Sequence, residues 1–375
     1  MRILQVVPSL IKGGAERLVL NICKTLSKLG HEVMVVTLHD DNKYKNLSSD
    51  CDVRFVKSNV YYSLLGKNLV QTNEFNNLVD KFKPDIIHSH LLDAELVSRN
   101  KTSNSISYIT HWHGCPDLTN PVPFNKLLSR ENIWKWNTKR ILKTQYRNCS
   151  NHFLCISEFI KKYVQQNLGI NENNITVLHN AIDLNLFQPK HLPKKDGFRL
   201  INIGSLQANK NHFFLLRLMK KLVDEGYDDI YLDVYGEGPE LNPLLKEKKE
   251  LGLGEKVVFH GIVDNIEQQL DRAHLLVHSA WHEPFGLILV EAMACGIPVI
   301  SFNTGGPSEL VVDDVNGYLT NKGDLVKFAD RVVQLYMNRE KLDMLGLNAQ
   351  GHARSFGLEA YTQKVEKLYE KLLSE

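Results

Sequence analysis

The sequence predicts an α/β protein built from two doubly wound, parallel-sheet domains, on three observations. Residues 3–7 form an apolar strand leading through Gly13-Gly14 into an amphipathic helix, Gly30 and a second strand at 31–38. A second strand–glycine–helix start follows at 199–225, after a polar stretch. Residues 280–309 then read as loop, buried helix, buried strand and glycine loop. Strand, glycine loop, helix and strand in that order make a right-handed βαβ unit, with loops gathered at the C-terminal edge of the sheet.

Taken in order, Gly13-Gly14 lets backbone approach a ligand closely. It is not Gly-x-Gly-x-x-Gly, which counts against a dinucleotide dehydrogenase. Strands are expected at 53–57, 85–90 and 107–110, with a helix over 69–82 closed by Lys83-Pro84. His88-Ser89-His90 and His111-Trp112-His113-Gly114 put histidines at the ends of two strands, where such sheets place their sites. A strand-end histidine also has a purely structural reading, but two strands ending this way favour a site. Asp50-Cys51-Asp52 has metal-binding spacing but lies in a polar turn, and reads as solvated.

Residues 124–148 hold Lys126, Arg130, Lys135, Lys139, Arg140, Lys143 and Arg147 against Glu131, with Phe124, Trp134 and Trp136 among them. Two readings stand: a surface that lies on anionic lipid headgroups, or a solvated helix whose tryptophans are core. Residues 190–197 are polar, lysine-rich and proline-bearing, and are the linker candidate. The second domain starts with the strand 199–203, Gly204-Ser205 and Lys210-Asn211. It continues through a strand closing on Gly236-Glu237-Gly238-Pro239 and a strand leading to Gly261-Ile262-Val263, and ends in an amphipathic helix over 358–373.

In 280–309, Glu283 precedes the first helical turn, Gly286 removes a side chain at the helix start, and Gly296 and Pro298 stop the helix. Unpaired N–H groups there make a seat for a phosphate or diphosphate. Glu291 falls roughly 7 Å along the axis at about 1.5 Å per residue. One carboxylate ahead of the anion and one behind it suits a nucleotide-sugar. The plainer reading is a buried helix whose Glu291 is merely paired.

Composition bounds the rest. At 375 residues the chain has room for two ordinary domains, and its net charge of +2 argues against a nucleic-acid-coating protein. Six cysteines without a Cys-x-x-Cys pair make structural zinc unexpected and point to a reduced, cytoplasmic setting. No signal peptide and no membrane span are expected.

Glu283-Pro284-Phe285-Gly286 with Glu291, then Gly296-x-Pro298-Val299-Ile300, resembles the Glu-x7-Glu signature of family 4 glycosyltransferases, retaining enzymes of the GT-B fold common in bacterial surface-glycan assembly. Gly13-Gly14, Pro84-Asp85 with His90, His113-Gly114, Asn180-Ala181-Ile182-Asp183, Lys210-Asn211 and Gly305-Gly306 fall in that family's order, so the likeness covers essentially the whole chain. It implies two Rossmann-like domains with a cleft between them: an acceptor-side domain over 1–192, a nucleotide-sugar domain over 193–356, and a final helix, 357–375, returning to the first. Glu283, His113 and Lys210 would be catalytic. Gly13, Gly14, Gly204, Ser205, Lys210, Gly236, Ile262, Val263, Glu283, Phe285, Gly286, Leu287 and Glu291 would bind the donor. In the family, Gly-Arg is common where this chain has Gly204-Ser205, so one diphosphate cation is absent from its usual place.

The resemblance implies a retaining glycosyltransferase that moves a sugar from a UDP- or GDP-sugar to a glycan or lipid-linked acceptor, with no metal or other cofactor. The expected setting is cytoplasmic, with no nucleic-acid partner; contact with the inner face of the plasma membrane follows only on the first of the two readings of residues 124–148. The alternatives are an epimerase or phosphorylase of the same fold, or a non-catalytic nucleotide-sugar-binding protein.

Overall fold

The computed structural model describes residues 1–11, 13–61, 69–115, 129–194 and 196–375. The chain divides into two units, Met1–Asn180 with Leu358–Glu375, and Ala181–Gly357.

The first unit is built on β1 (Arg2–Val7), β2 (Glu32–Thr37), β3 (Asp52–Phe55), the hairpin strands β4 (Asn59–Tyr61) and β5 (Leu69–Gln71), β6 (Ile86–His90), β7 (Ser107–Trp112), β8 (Asn151–Cys155) and β9 (Ile175–Val177). All but the hairpin form one parallel sheet in the order 3-2-1-6-7-8-9. Strand order reverses between β1 and β6, the position at which open parallel sheets bind ligands. The Gly14–Lys28 helix buries Leu18, Val19, Ile22, Cys23 and Leu26 along one stripe. Each fully buried aliphatic side chain there contributes about 1.5–3 kcal/mol.

The Leu358–Ser374 helix belongs to this unit although it ends the chain. Tyr361, Val365, Leu368 and Tyr369 share its buried face. His31 Nε2 meets Glu366 Oε1 at 2.6 Å, and Ser107 Oγ donates to the Leu372 carbonyl at 3.2 Å.

The second unit's sheet comprises β10 (Phe198–Ile203), β11 (Ile230–Tyr235), β12 (Val257–Phe259), β13 (Leu275–His278), β14 (Val299–Phe302) and β15 (Gly317–Thr320). It is parallel in the order 12-11-10-13-14-15, with its reversal between β10 and β13. Residues 181–192, assigned to the first domain on sequence, belong to this unit. The Ile182 amide donates to the Phe356 carbonyl, and the Lys190 and Leu192 amides both donate to the Asp271 carboxylate.

Two local expectations change. The helix read over 69–82 starts only at Asn73, because Leu69–Gln71 pairs with Asn59–Tyr61 as an antiparallel hairpin. It still ends at Lys83, whose φ of 49° is a left-handed cap before Pro84. The strand read over 107–110 runs on to Trp112, which places His111 inside the sheet and His113 just past its edge. Asp50 and Asp52 form exposed pairs with Lys24 and Arg54. Among the described residues, no helix is long and apolar enough to cross a membrane.

Candidate active site

In the second unit, two loops leave the sheet on either side of its switch point and are tied together by backbone. After β10 the chain makes a short turn, Ala208–Lys210, and Asn211 takes a left-handed φ of 56°. After β13, Ser279 Oγ donates to the Lys210 and Asn211 carbonyls, and the Trp281 amide donates to the Asn209 carbonyl at 2.9 Å. This clamp delivers Lys210 Nζ to Glu283 Oε2 at 2.6 Å. His278 Nε2 reaches the same oxygen at 3.3 Å, and since a carboxylate only accepts, that nitrogen carries a proton. Burial alone would raise the Glu283 pKa, but the His278 hydrogen bond and the Lys210 charge more than offset it and bring it down to about 2. The site therefore holds a fixed carboxylate and a fixed ammonium in contact.

The next residues build a helix start. Gly286, at φ 98°, is the N-cap of the Leu287–Ala294 helix, where a side chain would be strained. The loop is held from outside by Gly306: its amide donates to the Glu283 carbonyl at 2.9 Å, and a Cβ on it would come within 2.2 Å of Phe285 Cα. The Phe285 ring is buried, edge-on to Phe356, so this predicted donor-binding residue is a core residue by its side chain. Leu287 is half-buried, and Glu291 is buried within the helix.

Gly204 and Gly236 end neighbouring strands in direct contact. A Cβ on Gly236 would lie 2.0 Å from the Gly204 carbonyl oxygen, and the Gly236 amide donates to the Gly261 carbonyl at 2.8 Å. Gly204 itself has open space where a Cβ would go, and Ser205 is exposed. Ile262 is exposed and Val263 half-buried on the loop that begins at Gly261. The structure thus gathers Gly204, Ser205, Gly236 and the 261–263 loop at one edge of the sheet.

Gly13, Gly14 and His113 lie in the first unit. Gly13 is extended and bonds through both its amide and its carbonyl to the Tyr44 hydroxyl. Glu16, which sequence reasoning passed over, turns its buried carboxylate on to the helix start, where a Cβ at Gly13 would lie 2.3 Å from Oε2. Burial raises its pKa. An acid in the first turn after Gly-Gly was the available signal. His113 is half-buried beside His90, and borders a pocket of about 210 Å³ that Leu91, Leu92, Glu95 and Trp112 also line. Glu95 is fully buried there and raised to about 7 by desolvation, with the Tyr146 hydroxyl donating to it.

Nitrogen atoms of His88, His90 and His111 lie within 4.8 Å of one another, the one such metal-sized group among the described residues. Their rings do not converge on a point: His88 and His90 stack with centroids 4.4 Å apart at 25°. Both His90 nitrogens are already bonded, to Gln5 and His113. This arrangement fits a polar stack better than a metal cage.

Phe124 and Lys126 of the basic segment lie outside the described residues. From Ser129, whose side chain caps it, the Arg130–Arg147 helix follows. It buries Asn137, Thr138, Leu142 and Tyr146, and exposes Trp136 at 63%, with the Arg140 guanidinium 5.3 Å from the ring centroid. Trp134 is half-buried.

The comparisons with known proteins agree with the two-domain fold. The family model described as Glycosyltransferase Family 4 matches residues 12–186, and that for Glycosyl transferases group 1 matches residues 183–352. An uncharacterized glycosyltransferase of Methanocaldococcus jannaschii is 24% identical over 96% of this chain and 95% of its own. The N-acetyl-alpha-D-glucosaminyl L-malate synthase of Bacillus anthracis is 32% identical over 46% of this chain and 45% of its own. Among solved structures, Anabaena Alr3699/HepE in complex with UDP superposes with a TM-score of 0.81 at 21% identity, covering 99% of this chain and 100% of that one.

Proposed function

The chain belongs to the GT-B glycosyltransferases of the family 4 type, and from that premise we propose that it transfers a sugar from a UDP-sugar to a glycan or lipid-linked acceptor. The observation that carries the reading is the Lys210–Glu283 pair at the β10/β13 switch point, followed directly by the glycine-capped helix start. An ammonium and free helix N–H groups suit a departing diphosphate, and a carboxylate held ionised suits sugar hydroxyls. Charge that builds on the leaving group would be met by these fixed groups, with no metal needed in the proposal.

Glu291 takes the ribose in this reading, the backbone near Ile262 and Val263 reads the base, and Gly204, Ser205 and Gly236 border the phosphates. Gly13, Gly14 and His113 serve the same reaction from the first unit. Anomeric configuration is retained, and the acceptor belongs to surface-glycan assembly. UDP is favoured over GDP because Alr3699/HepE was solved with UDP and with UDP-glucose. The exposed Trp136–Arg140 pair supports docking on anionic lipid, where a lipid-linked acceptor would be met.

The test is nucleotide release from a panel of UDP- and GDP-sugars, with and without glycan and lipid-linked acceptors. Acceptor-dependent UDP release supports the reading. Binding without turnover across the panel would leave a nucleotide-sugar-binding protein instead.

A further inference from the structure

A chain of hydrogen bonds in the first unit ends on His113, and its members can be assigned donor and acceptor in turn. Gln5 Nε2 donates to the Tyr369 hydroxyl at 2.9 Å, so Gln5 Oε1 is the atom that faces His90 Nε2, at 2.7 Å. A carboxamide oxygen only accepts, so His90 Nε2 carries a proton. Neutral His90 then has a bare Nδ1, and this atom lies 2.9 Å from His113 Nε2. Two bare nitrogens cannot share a hydrogen bond. His113 must therefore be the donor through Nε2, and because burial lowers its pKa to about 3 the ring is neutral and its own Nδ1 is the lone pair left over. That Nδ1 is buried and has no partner among the described residues.

The surroundings keep His90 neutral. Its ring stacks between His88 and His113 at centroid distances of 4.4 and 5.2 Å, in a fully buried setting where a charge would be poorly solvated. At the far end the Tyr369 hydroxyl, which accepts from Gln5, is also hydrogen-bonded to His88 Nδ1 at 2.6 Å. Gln5 interrupts the buried apolar run 3–7 of β1, and Tyr369 lies on the last helix of the chain, 364 residues away. A buried glutamine in the middle of a sheet needs a partner for both ends of its amide, and it finds them in these two groups.

We propose that Gln5 and Tyr369, acting through His90, are positioning residues that hold His113 as its Nε2–H tautomer and leave Nδ1 as a fixed acceptor for a sugar hydroxyl. The tautomer follows from the hydrogen bonds alone, and its use in sugar transfer rests on the glycosyltransferase reading. Gln5 and Tyr369 touch no reacting atom. Their effect is to decide which nitrogen of His113 accepts, so the site receives a hydroxyl proton rather than offering one of its own.

The experiment is a long-range proton–nitrogen spectrum of the full-length chain labelled at histidine nitrogens, with the His113 signals assigned by their loss in His113→Asn. The expected wild-type spectrum shows Nε2 protonated and Nδ1 bare. The isosteric Gln5→Met releases His90, so both His113 tautomers become populated. Its kcat falls roughly 10- to 100-fold while the donor KM stays within about threefold. Tyr369→Phe removes the anchor on the Gln5 amide and moves the spectrum the same way, by less. A wild-type His113 protonated at Nδ1, meaning the Gln5 amide is reversed, overturns the proposal. So does a Gln5→Met protein whose tautomer is unchanged. If Gln5→Met does not fold, the wild-type and Tyr369→Phe spectra decide. UDP release together with an Nδ1–H spectrum would sink the relay alone. The expected spectrum without release from any sugar donor would keep the tautomer but overturn its proposed use in transfer.

Discussion

Lys210 Nζ and Glu283 Oε2 are 2.6 Å apart across 73 residues of sequence, and both side chains are largely withdrawn from solvent. Removing one partner leaves the other charge buried, a change that costs about 3 kcal/mol or more. Lys210→Ala should therefore lose stability as well as lower turnover by about 10²–10³, the scale for one transition-state donor. Because the two residues form one unit, the Lys210→Ala/Glu283→Ala double variant should lose clearly less than the sum of the singles, in both urea unfolding and kcat. Additive losses would mean that the pair is not coupled.

Glu291 behaves differently because it lies inside the helix rather than ahead of it. Glu291→Ala should raise the donor KM or Kd and change kcat little, whereas Glu283→Ala should mostly lower kcat. Calorimetric titration with UDP and with UDP-sugar, alongside initial rates, separates the two. The reverse outcome would place the sugar at Glu291 and turn the donor round.

The ion pair also sets an acid limit. Glu283 has a pKa of about 2 in the folded chain against 4.5 for a free side chain, so its contribution is complete above about pH 4.5 and is lost as pH falls towards 2. A shift of that size corresponds to roughly 3 kcal/mol, of which about 2 should be gone at pH 3. The stability gap between wild type and Glu283→Gln, from denaturant midpoints, should shrink by that amount between pH 7 and pH 3. A gap that is constant with pH would show that the carboxylate is not held in its ionised form.

On the basic helix, the Arg140 guanidinium stacks on an exposed Trp136, which gives one face both an apolar ring and a fixed positive charge. Lys139 and Lys143 lie close enough that desolvation and their mutual repulsion lower the Lys139 pKa. Each basic residue near an anionic bilayer is worth about 1 kcal/mol. Lys139→Glu/Lys143→Glu should therefore abolish pelleting with anionic vesicles, and Trp136→Ala should weaken it, with UDP release in solution unchanged. Pelleting that ignores both variants and lipid charge would leave this helix a solvated one.

Much of this was legible in the sequence because it depends on local pattern. Glycine after an apolar strand, amphipathic spacing after that glycine, and Gly296 with Pro298 behind a short helix located the Leu287–Ala294 helix to the residue. What the sequence hid depends on contacts between distant segments. Gln5 reads as one more position in a buried strand, and only Tyr369 and His90 beside it give its amide a purpose. Tyr369 reads as one residue of an amphipathic stripe. The hairpin that shortens the helix before Lys83 joins residues whose own pattern is helical. His278 was equally silent, since burial of a single polar side chain leaves no periodic trace, whereas Glu16 left only its place in the first turn after Gly13-Gly14.

Gly236 and Gly204 show the same limit from another side, because sequence alone treats both as places where a ligand comes close. In the structure Gly236 has φ 138° and a Cβ there would overlap the Gly204 carbonyl at 2.0 Å, so its glycine is required by the neighbouring backbone. Gly204 has nothing within 4 Å of a would-be Cβ. Gly236→Ala should then cost roughly 2–5 kcal/mol through strain and overlap. Gly204→Ala should fold with stability within about 0.5 kcal/mol of wild type. If the diphosphate passes over Gly204, as proposed, the added methyl occupies space the ligand needs, and UDP affinity should fall at least tenfold in a protein of normal stability. Thermal unfolding with and without UDP reads both effects at once. A Gly204→Ala protein that melts normally and is stabilised by UDP as wild type is would move the phosphates away from this strand end.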